Sequence, residues 1–190
     1  MNRRIFMGQS ATALGLLTGL SGPARAANLQ KAEVIVIGGG YGGATAAKYI
    51  RLLSNNTARV TIIEPNSEFY SCPMSNLVVG GSRTMSELRV SYDNLSKRHG
   101  IKMVKDSVVN IDAANQTVQL ASGKSMKFDK VVLSPGIGLM MDSIQGLAQA
   151  NQAGVTLQAW KAGPETVALH NQIAAMREGG VFAITIPEAP

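Results

Sequence analysis

The stretch Val34-Ile-Val-Ile-Gly-Gly-Gly-Tyr-Gly-Gly43 decides the fold of this chain. Its apolar, β-branched start, Val34–Ile37, is typical of a buried parallel strand. The strand runs into a glycine cluster that fits the pattern G-x-G-x-x-G at Gly38, Gly40 and Gly43. In this pattern the first glycine permits a tight turn, and the second lets the backbone approach a pyrophosphate. The third lets the following helix pack closely on the strand.

The residues that follow complete a dinucleotide-binding unit. We expect a helix over 44–53, with its positive N-terminal end toward the phosphates, and a second strand over 58–63. Glu64 ends that strand and lies 21 residues after Gly43 (64 − 43). This is close to the spacing of about 20 residues at which an acid binds the ribose hydroxyls. The order of these features favours a dinucleotide site over the alternative, a glycine-rich turn in an ordinary βαβ unit.

Short elements are predicted between Glu64 and residue 138. They are an irregular loop (65–81), a helix (86–98), a third parallel strand (100–104) and an antiparallel meander of three strands (108–111, 117–120 and 125–128). A strand over 129–133 then returns to the sheet. Gly136, which follows it, would permit close backbone approach to the pyrophosphate. The alternative is a turn that only ends the strand.

The residues after 138 predict the start of a second domain. A connecting stretch over 139–163 leads to a helix that begins at Pro164 and ends near Gly179. An apolar strand over 181–186 follows. Because this helix and strand need a sheet around them, we expect an N-terminal part of a longer protein. It would hold one domain over 27–150 and the truncated start of a second α/β domain over 151–190.

The first residues have the features of an export signal. Arg3 and Arg4 precede an uncharged stretch over 10–20, and Ala24-Arg25-Ala26 fits a cleavage site. The pattern predicts a twin-arginine signal peptide over 1–26 and a folded protein exported to the periplasm. The apolar run is too short for a stable membrane span, although a short membrane anchor is the alternative.

Composition excludes several classes of function. The net charge of +6 includes three arginines of the predicted signal, so the mature chain carries only +3, with no basic, aromatic-rich face for nucleic acid. His99 and His170 belong to no motif, and we expect both to be structural or solvated. The sequence has no cluster with metal-ligand spacing and no Ser/His/Asp arrangement. We therefore expect no metal site and no catalytic residue in these 190 residues.

Cys72 is the only cysteine, so it cannot form an intramolecular disulfide. A free cysteine is often just a small buried apolar residue. The alternative is a thiol that reacts with a bound cofactor. An extended chain covers about 3.3 Å per residue, so the segment from Glu64 to Cys72 can reach about 26 Å. That distance is comparable to the length of an extended dinucleotide cofactor.

Two stretches of this chain resemble the flavoprotein subunit of flavocytochrome c sulfide dehydrogenase. They are Val36-Ile-Gly-Gly-Gly-Tyr-Gly-Gly-Ala-Thr-Ala-Ala-Lys-Tyr-Ile50 and Ile63-Glu-Pro-Asn-Ser-Glu-Phe-Tyr-Ser-Cys-Pro-Met-Ser-Asn76, and Trp160-Lys-Ala-Gly163 fits the same family. In addition, Phe128-Asp-Lys-Val-Val-Leu-Ser-Pro-Gly136 is similar to a second signature of flavoproteins with two dinucleotide-binding domains. The resemblance implies a Rossmann-like FAD-binding domain of that type.

The resemblance also implies a function. In that family the cysteine of the second stretch bonds covalently to the 8α-methyl group of FAD, and the match assigns this role to Cys72. The family oxidises sulfide in the periplasm and passes electrons from the flavin to a c-type cytochrome subunit. Its redox-active cysteine pair has no counterpart in these 190 residues.

Two other functions remain open at the level of sequence. An NAD(P)H-dependent flavin reductase of related fold would need a second glycine fingerprint after the strand over 181–186. The chain has Thr185-Ile-Pro-Glu-Ala-Pro190 there, and prolines supply no amide hydrogen to a phosphate. A non-catalytic FAD-binding electron carrier is the other alternative.

Overall fold

The computed structural model describes residues 31–184. Its strands are β1 Glu33–Ile37, β2 Arg59–Ile63, β3 Glu68–Tyr70, β4 Arg89–Ser91, β5 Lys102–Val104, β6 Val108–Asp112, β7 Thr117–Leu120, β8 Ser125–Lys127 and β9 Lys130–Leu133. Its helices are α1 Tyr41–Leu53, α2 Ser75–Val79, α3 Asp93–His99, α4 Leu147–Gln152 and α5 Pro164–Ala174. Short 3-10 turns lie at Cys72–Met74, Met85–Leu88 and Met141–Ser143. The predicted signal peptide over 1–26 lies outside the described residues.

A four-stranded parallel sheet with the order β5-β2-β1-β9 forms the centre of the molecule. β1 pairs with β2 on one side and with β9 on the other, so the glycine turn leaves the middle of the sheet. Val34, Ile35 and Val36 are at most 2% exposed. This burial is expected of a parallel strand that is covered on both faces.

Different elements cover the two faces of the sheet. On one face α1 packs against an apolar cluster of Ala32, Val34, Val36, Ala47, Ala58, Val60, Ile62 and Ile101. On the other face the antiparallel meander β6-β7-β8 contributes to a cluster of Ile35, Ile63, Val118, Leu120 and Phe128. The predicted α/β fold, a Rossmann-like parallel sheet with an antiparallel meander, is therefore confirmed.

Two of the elements predicted between residues 65 and 98 are wrong. The supposedly irregular loop over 65–81 contains β3, a 3-10 turn and α2, and the predicted helix over 86–98 is interrupted by β4. Only its last part forms α3. β4 pairs antiparallel with β3, which places Val90 opposite Phe69. This pairing joins residues that are distant in sequence, so the local pattern contained no sign of it.

The chain also departs from the predicted element ends. α1 begins at Tyr41 rather than at residue 44, because the glycine turn itself forms the first helical turn. The connecting stretch over 139–163 contains α4. α5 begins at Pro164 as predicted but ends at Ala174. Of the predicted strand over 181–186, the described residues 181–184 form no strand, and Val181 is 92% exposed. Within residues 31–184 no strand lies beside this segment to hydrogen-bond with it.

The two histidines have structural surroundings. His99 is the last residue of α3. The Nδ1 atom of His170 lies 3.0 Å from the carbonyl oxygen of Val79, which joins α5 to the end of α2. Within residues 31–184, no helix is both long and apolar enough to cross a membrane. In the same residues, no group of three or more His, Cys, Asp or Glu side chains is arranged to hold a metal ion.

Candidate functional site

A cavity of about 840 Å³ opens at the carboxyl ends of the central strands. In parallel α/β sheets, ligands bind at this edge. Five of the six site residues predicted from the sequence line this cavity: Gly38, Gly40, Glu64, Cys72 and Gly136. The sixth, Gly43, lies behind the turn, where α1 packs on β1. The fold thus brings together residues that are up to 98 positions apart in the sequence (136 − 38).

The glycine turn is held by close backbone contacts. Gly38 has a φ of +96°, and its N–H donates to the carbonyl oxygen of Ile63 at 2.9 Å. A Cβ on Gly38 would overlap the carbonyl oxygen of Ser134, and a Cβ on Gly43 would overlap that of Gly38. These two positions therefore exclude any side chain.

Gly40 is different, because the protein itself leaves room for a side chain there. A Cβ would meet only the ring of Phe69, at an ordinary contact distance of 3.7 Å. The glycine instead keeps the backbone open toward the cavity, as close approach of a ligand would require.

The N-terminal end of α1 is available to an anion. The first backbone bond of this 13-residue helix runs from the Ala44 N–H to the Gly40 carbonyl oxygen at 2.9 Å, and no side chain caps the helix. The N–H groups of the first turn therefore have no acceptor within the helix, and the helix dipole favours negative charge beside them. Such an end suits a pyrophosphate.

Glu64 ties the end of β2 to the glycine turn. Its Oε2 accepts a hydrogen bond from the Gly39 N–H at 2.8 Å. Its Oε1 accepts two, from the backbone N–H of Asn66 at 2.9 Å and from the Asn66 side-chain amide at 2.7 Å. A carboxylate has about four acceptor sites, so one remains free on Oε2. A ribose hydroxyl can use that site, and a second hydroxyl would have to displace the Asn66 side chain.

Tyr92 is a cavity residue that the sequence gave no reason to single out. Its side chain is buried beside the turn, and a Cβ on Gly39 would come within 2.8 Å of its hydroxyl oxygen. Burial, with a smaller contribution from the Glu64 charge, raises the pKa of Tyr92 from 10.0 to about 12. The phenol therefore remains a neutral hydrogen-bond donor at physiological pH. No motif marks it, because a tertiary contact with the turn places it here.

Gly136 follows β9 and faces the glycine turn. Ser134 donates its backbone N–H to the Ile37 carbonyl oxygen at 2.9 Å, which continues the pairing of β9 with β1. Gly136 then adopts a φ of +78°, a left-handed conformation that favours glycine. A Cβ there would meet no atom within 4 Å. The glycine is therefore favoured by the backbone conformation and not by a lack of space.

Cys72 reaches the cavity from the segment that connects β3 to α2. It begins a 3-10 turn and is partly buried, and its Sγ lies 3.9 Å from the carbonyl oxygen of Tyr70. Ser71 on one side and Ser75 on the other are at most 2% exposed. The Ser75 hydroxyl donates to the Cys72 carbonyl oxygen at 2.7 Å. The backbone around the thiol is therefore fixed, and Cys72 is part of the cavity lining.

The match to a known family decides the classification. A family model described as pyridine nucleotide-disulphide oxidoreductase matches residues 32–163. This chain belongs to that family. The match includes the glycine turn, Glu64, Cys72, the meander and Gly136.

Curated members of this family are similar in sequence. The mitochondrial sulfide:quinone oxidoreductase of Dictyostelium discoideum is 30% identical over 159 residues, which cover 82% of this chain and 34% of that protein. The sulfide dehydrogenase [flavocytochrome c] flavoprotein chain of Chlorobaculum thiosulfatiphilum is 51% identical over 46 residues, which cover 24% of this chain and 94% of that sequence. The chain thus spans about a third of the length of the Dictyostelium relative.

A solved structure has the same fold. The sulfide:quinone oxidoreductase of Aquifex aeolicus superposes with a TM-score of 0.66 and 24% identity, over 75% of this chain and 32% of that one. The shared architecture is the FAD-binding domain of flavoproteins with two dinucleotide-binding domains. FAD is accordingly the cofactor that the family and the fold imply.

Gly43→Ala should destabilise the protein and reduce its content of flavin. The added methyl group overlaps the Gly38 carbonyl oxygen, so α1 must move away from β1. Overpacking of this kind costs about 1–3 kcal/mol. Gly138→Ala is the matched control, because a Cβ there meets no atom within 4 Å. The thermal midpoint and the flavin-to-protein absorbance ratio would be measured for both. Equal behaviour of the two variants would contradict the close contact between helix and strand.

Proposed function

We propose that this chain forms the FAD-binding part of an exported sulfide dehydrogenase that passes electrons to a c-type cytochrome. The observation that carries this proposal is that Cys72, the only thiol, faces the same cavity as the glycine turn and Glu64. The similarity to a flavocytochrome c flavoprotein chain over 46 residues supports it. Bound FAD would supply the acceptor for electrons from sulfide and the donor to the haem.

The cavity fits FAD in four respects. The first turn of α1 and the open backbone at Gly40 suit the pyrophosphate. The free acceptor site on Glu64 suits a ribose hydroxyl. The cavity volume of about 840 Å³ lies within the range of about 300–1,000 Å³ for small-molecule sites. Apolar and aromatic side chains such as Phe69 and Ile137 also line the cavity.

We further propose that Cys72 holds FAD through a thioether to the 8α-methyl group. The segment between Glu64 and Cys72 includes the extended strand β3, and all three residues of β3 line the cavity. A covalent bond would keep the cofactor in place in the periplasm. It would also explain the position of a single thiol in the wall of the cavity.

Cys72→Ser should abolish covalent attachment and leave non-covalent binding in place. The glycine turn, α1 and Glu64 are unchanged in this variant. Full-length wild-type protein should keep its yellow colour through acid precipitation, and a tryptic peptide that contains Cys72 should carry the mass of the flavin. The variant should release all of its FAD on denaturation. Complete release from the wild-type protein would refute covalent attachment.

A nicotinamide-dependent reductase is a second candidate, because the name of the family includes pyridine nucleotide. The sequence over 185–190 contains two prolines and no glycine pattern for a second phosphate site. An electron carrier without its own substrate would be reduced by neither sulfide nor a nicotinamide. Substrate reduction experiments distinguish the three candidates.

Sulfide should reduce the flavin of the full-length protein, and NADH and NADPH should do so at a small fraction of that rate. The physical reason is that residues 185–190 contain two prolines and no glycine pattern that could hold the phosphates of a nicotinamide nucleotide. Stopped-flow absorbance of the flavin band gives both rates. Reduction by a nicotinamide at a rate near that of sulfide would favour the reductase. Reduction by neither would favour the carrier.

The export route and the periplasmic location are part of the same proposal. They are supported by the sequence of the first 26 residues, above all by Arg3 and Arg4. Twin-arginine export carries folded proteins, which suits a chain that must take up its cofactor in the cytoplasm.

Replacing Arg3 and Arg4 together by lysine should retain the precursor in the cytoplasm. The change keeps the charge but removes the paired guanidinium groups. Arg25→Lys, beside the predicted cleavage site, is the matched control and should still be exported. Cell fractionation and immunoblotting measure both variants. Periplasmic accumulation of the double variant would instead indicate the general secretory route.

A further inference from the structure

Tyr41 links the glycine turn to the segment that carries Cys72. It occupies a variable position of the glycine pattern and is the first residue of α1. Its hydroxyl shares a hydrogen bond of 2.6 Å with the hydroxyl of Ser71. Its ring makes an edge-on contact with Phe69, with ring centroids 4.9 Å apart and an interplanar angle of 80°. Tyr41 is 57% exposed, and these two contacts join its side chain to the Cys72 segment.

Ser71 transmits this contact to the thiol. It is only 1% exposed and directly precedes Cys72 in the chain. Its backbone N–H donates to the Leu88 carbonyl oxygen at 3.0 Å, so the sheet β3-β4 holds it from the opposite side. Beyond the thiol, the buried Ser75 hydroxyl binds the Cys72 carbonyl oxygen. Ser71 thus joins the segment of the thiol to Tyr41 beside the glycine turn, and Ser75 fixes the backbone within that segment.

We infer that Tyr41 is a positioning residue, which aligns Cys72 with the flavin ring for the covalent step through its hydrogen bond to Ser71. The inference rests on the proposed attachment of FAD to Cys72. The turn in which Tyr41 begins α1 would hold FAD at its pyrophosphate. One side chain therefore connects the part of the protein that would locate the cofactor with the part that locates the sulfur.

The covalent step shows why alignment matters. The Cys72 thiol and the 8-methyl group of the flavin each lose one proton, and a bond forms between sulfur and that carbon. The electron pair released in the process remains on the flavin and is removed by an external electron acceptor such as dioxygen. Bond formation requires the sulfur and the carbon to come within about 3–3.5 Å in the correct direction. Loss of one aligning hydrogen bond should slow the step without abolishing it.

The test is the rate of covalent attachment in full-length apoprotein mixed with FAD in air. Tyr41→Phe keeps the ring and its contact with Phe69 but removes the hydroxyl. We expect attachment to be about fivefold to tenfold slower, as the loss of one hydrogen bond implies. Attachment is measured as flavin fluorescence that remains with acid-precipitated protein at successive times.

A second measurement separates alignment from cofactor binding. In a Cys72→Ser background, the non-covalent dissociation constant for FAD should change by less than about twofold on Tyr41→Phe. A larger loss of affinity in this background would show that the hydroxyl contacts the cofactor itself, and would overturn the positioning role.

Matched variants complete the test. Ser71→Ala should slow attachment as much as Tyr41→Phe, and the double variant should be no slower than either single one, because both changes remove the same hydrogen bond. Tyr49→Phe removes a hydroxyl from the same helix at a similarly exposed position, and this variant should attach FAD at the wild-type rate. Additive effects, or an unchanged rate in Tyr41→Phe, would overturn the inference. If wild-type protein forms no covalent bond, the proposed function fails instead.

Discussion

The end of β1, the start of α1 and the end of β9 meet so closely that no side chain fits between them. A Cβ on Gly38 would overlap the Ser134 carbonyl oxygen, and one on Gly43 would overlap the carbonyl oxygen of Gly38. The rest of the site depends on this contact. It aims the free N–H groups of α1 at the cavity, and it brings the segment with Gly136 to the cavity wall.

Polar contacts then join the glycine turn to the neighbouring segments. Glu64 accepts the Gly39 N–H and so fixes the end of β2 to the turn. Tyr41 reaches in the other direction and binds Ser71, beside the thiol. Residues of the glycine turn and the start of α1 thus bind both the segment of Glu64 and the segment of Cys72. In this arrangement, Glu64 and the segment of Cys72 keep fixed positions relative to the N-terminal end of α1.

The meander covers one face of the central sheet and leaves the carboxyl edge of the sheet open to the cavity. Val118, Leu120 and Phe128 cover the face of the sheet opposite α1, with Ile35 and Ile63 beneath them. Apolar side chains thus cover both faces of the sheet around β1 and β2 without a second long helix. The carboxyl edge stays free, and the segments that follow β2, β5 and β9 contribute its wall.

The sequence by itself determined the sheet, the meander and the glycine turn, because their signals are local: β-branched runs, turn residues and a fixed glycine spacing. It also singled out Glu64 and Cys72, from a spacing and from a unique residue type. Only the tertiary structure decided the β3-β4 pairing, the place of Tyr92 and the bond between Tyr41 and Ser71. Each of these joins residues far apart in the chain, and such contacts form only when the whole fold brings their segments together. For the same reason, part of the predicted helix over 86–98 forms β4 instead. Pairing with β3 outweighs the weak local preference of these residues for a helix.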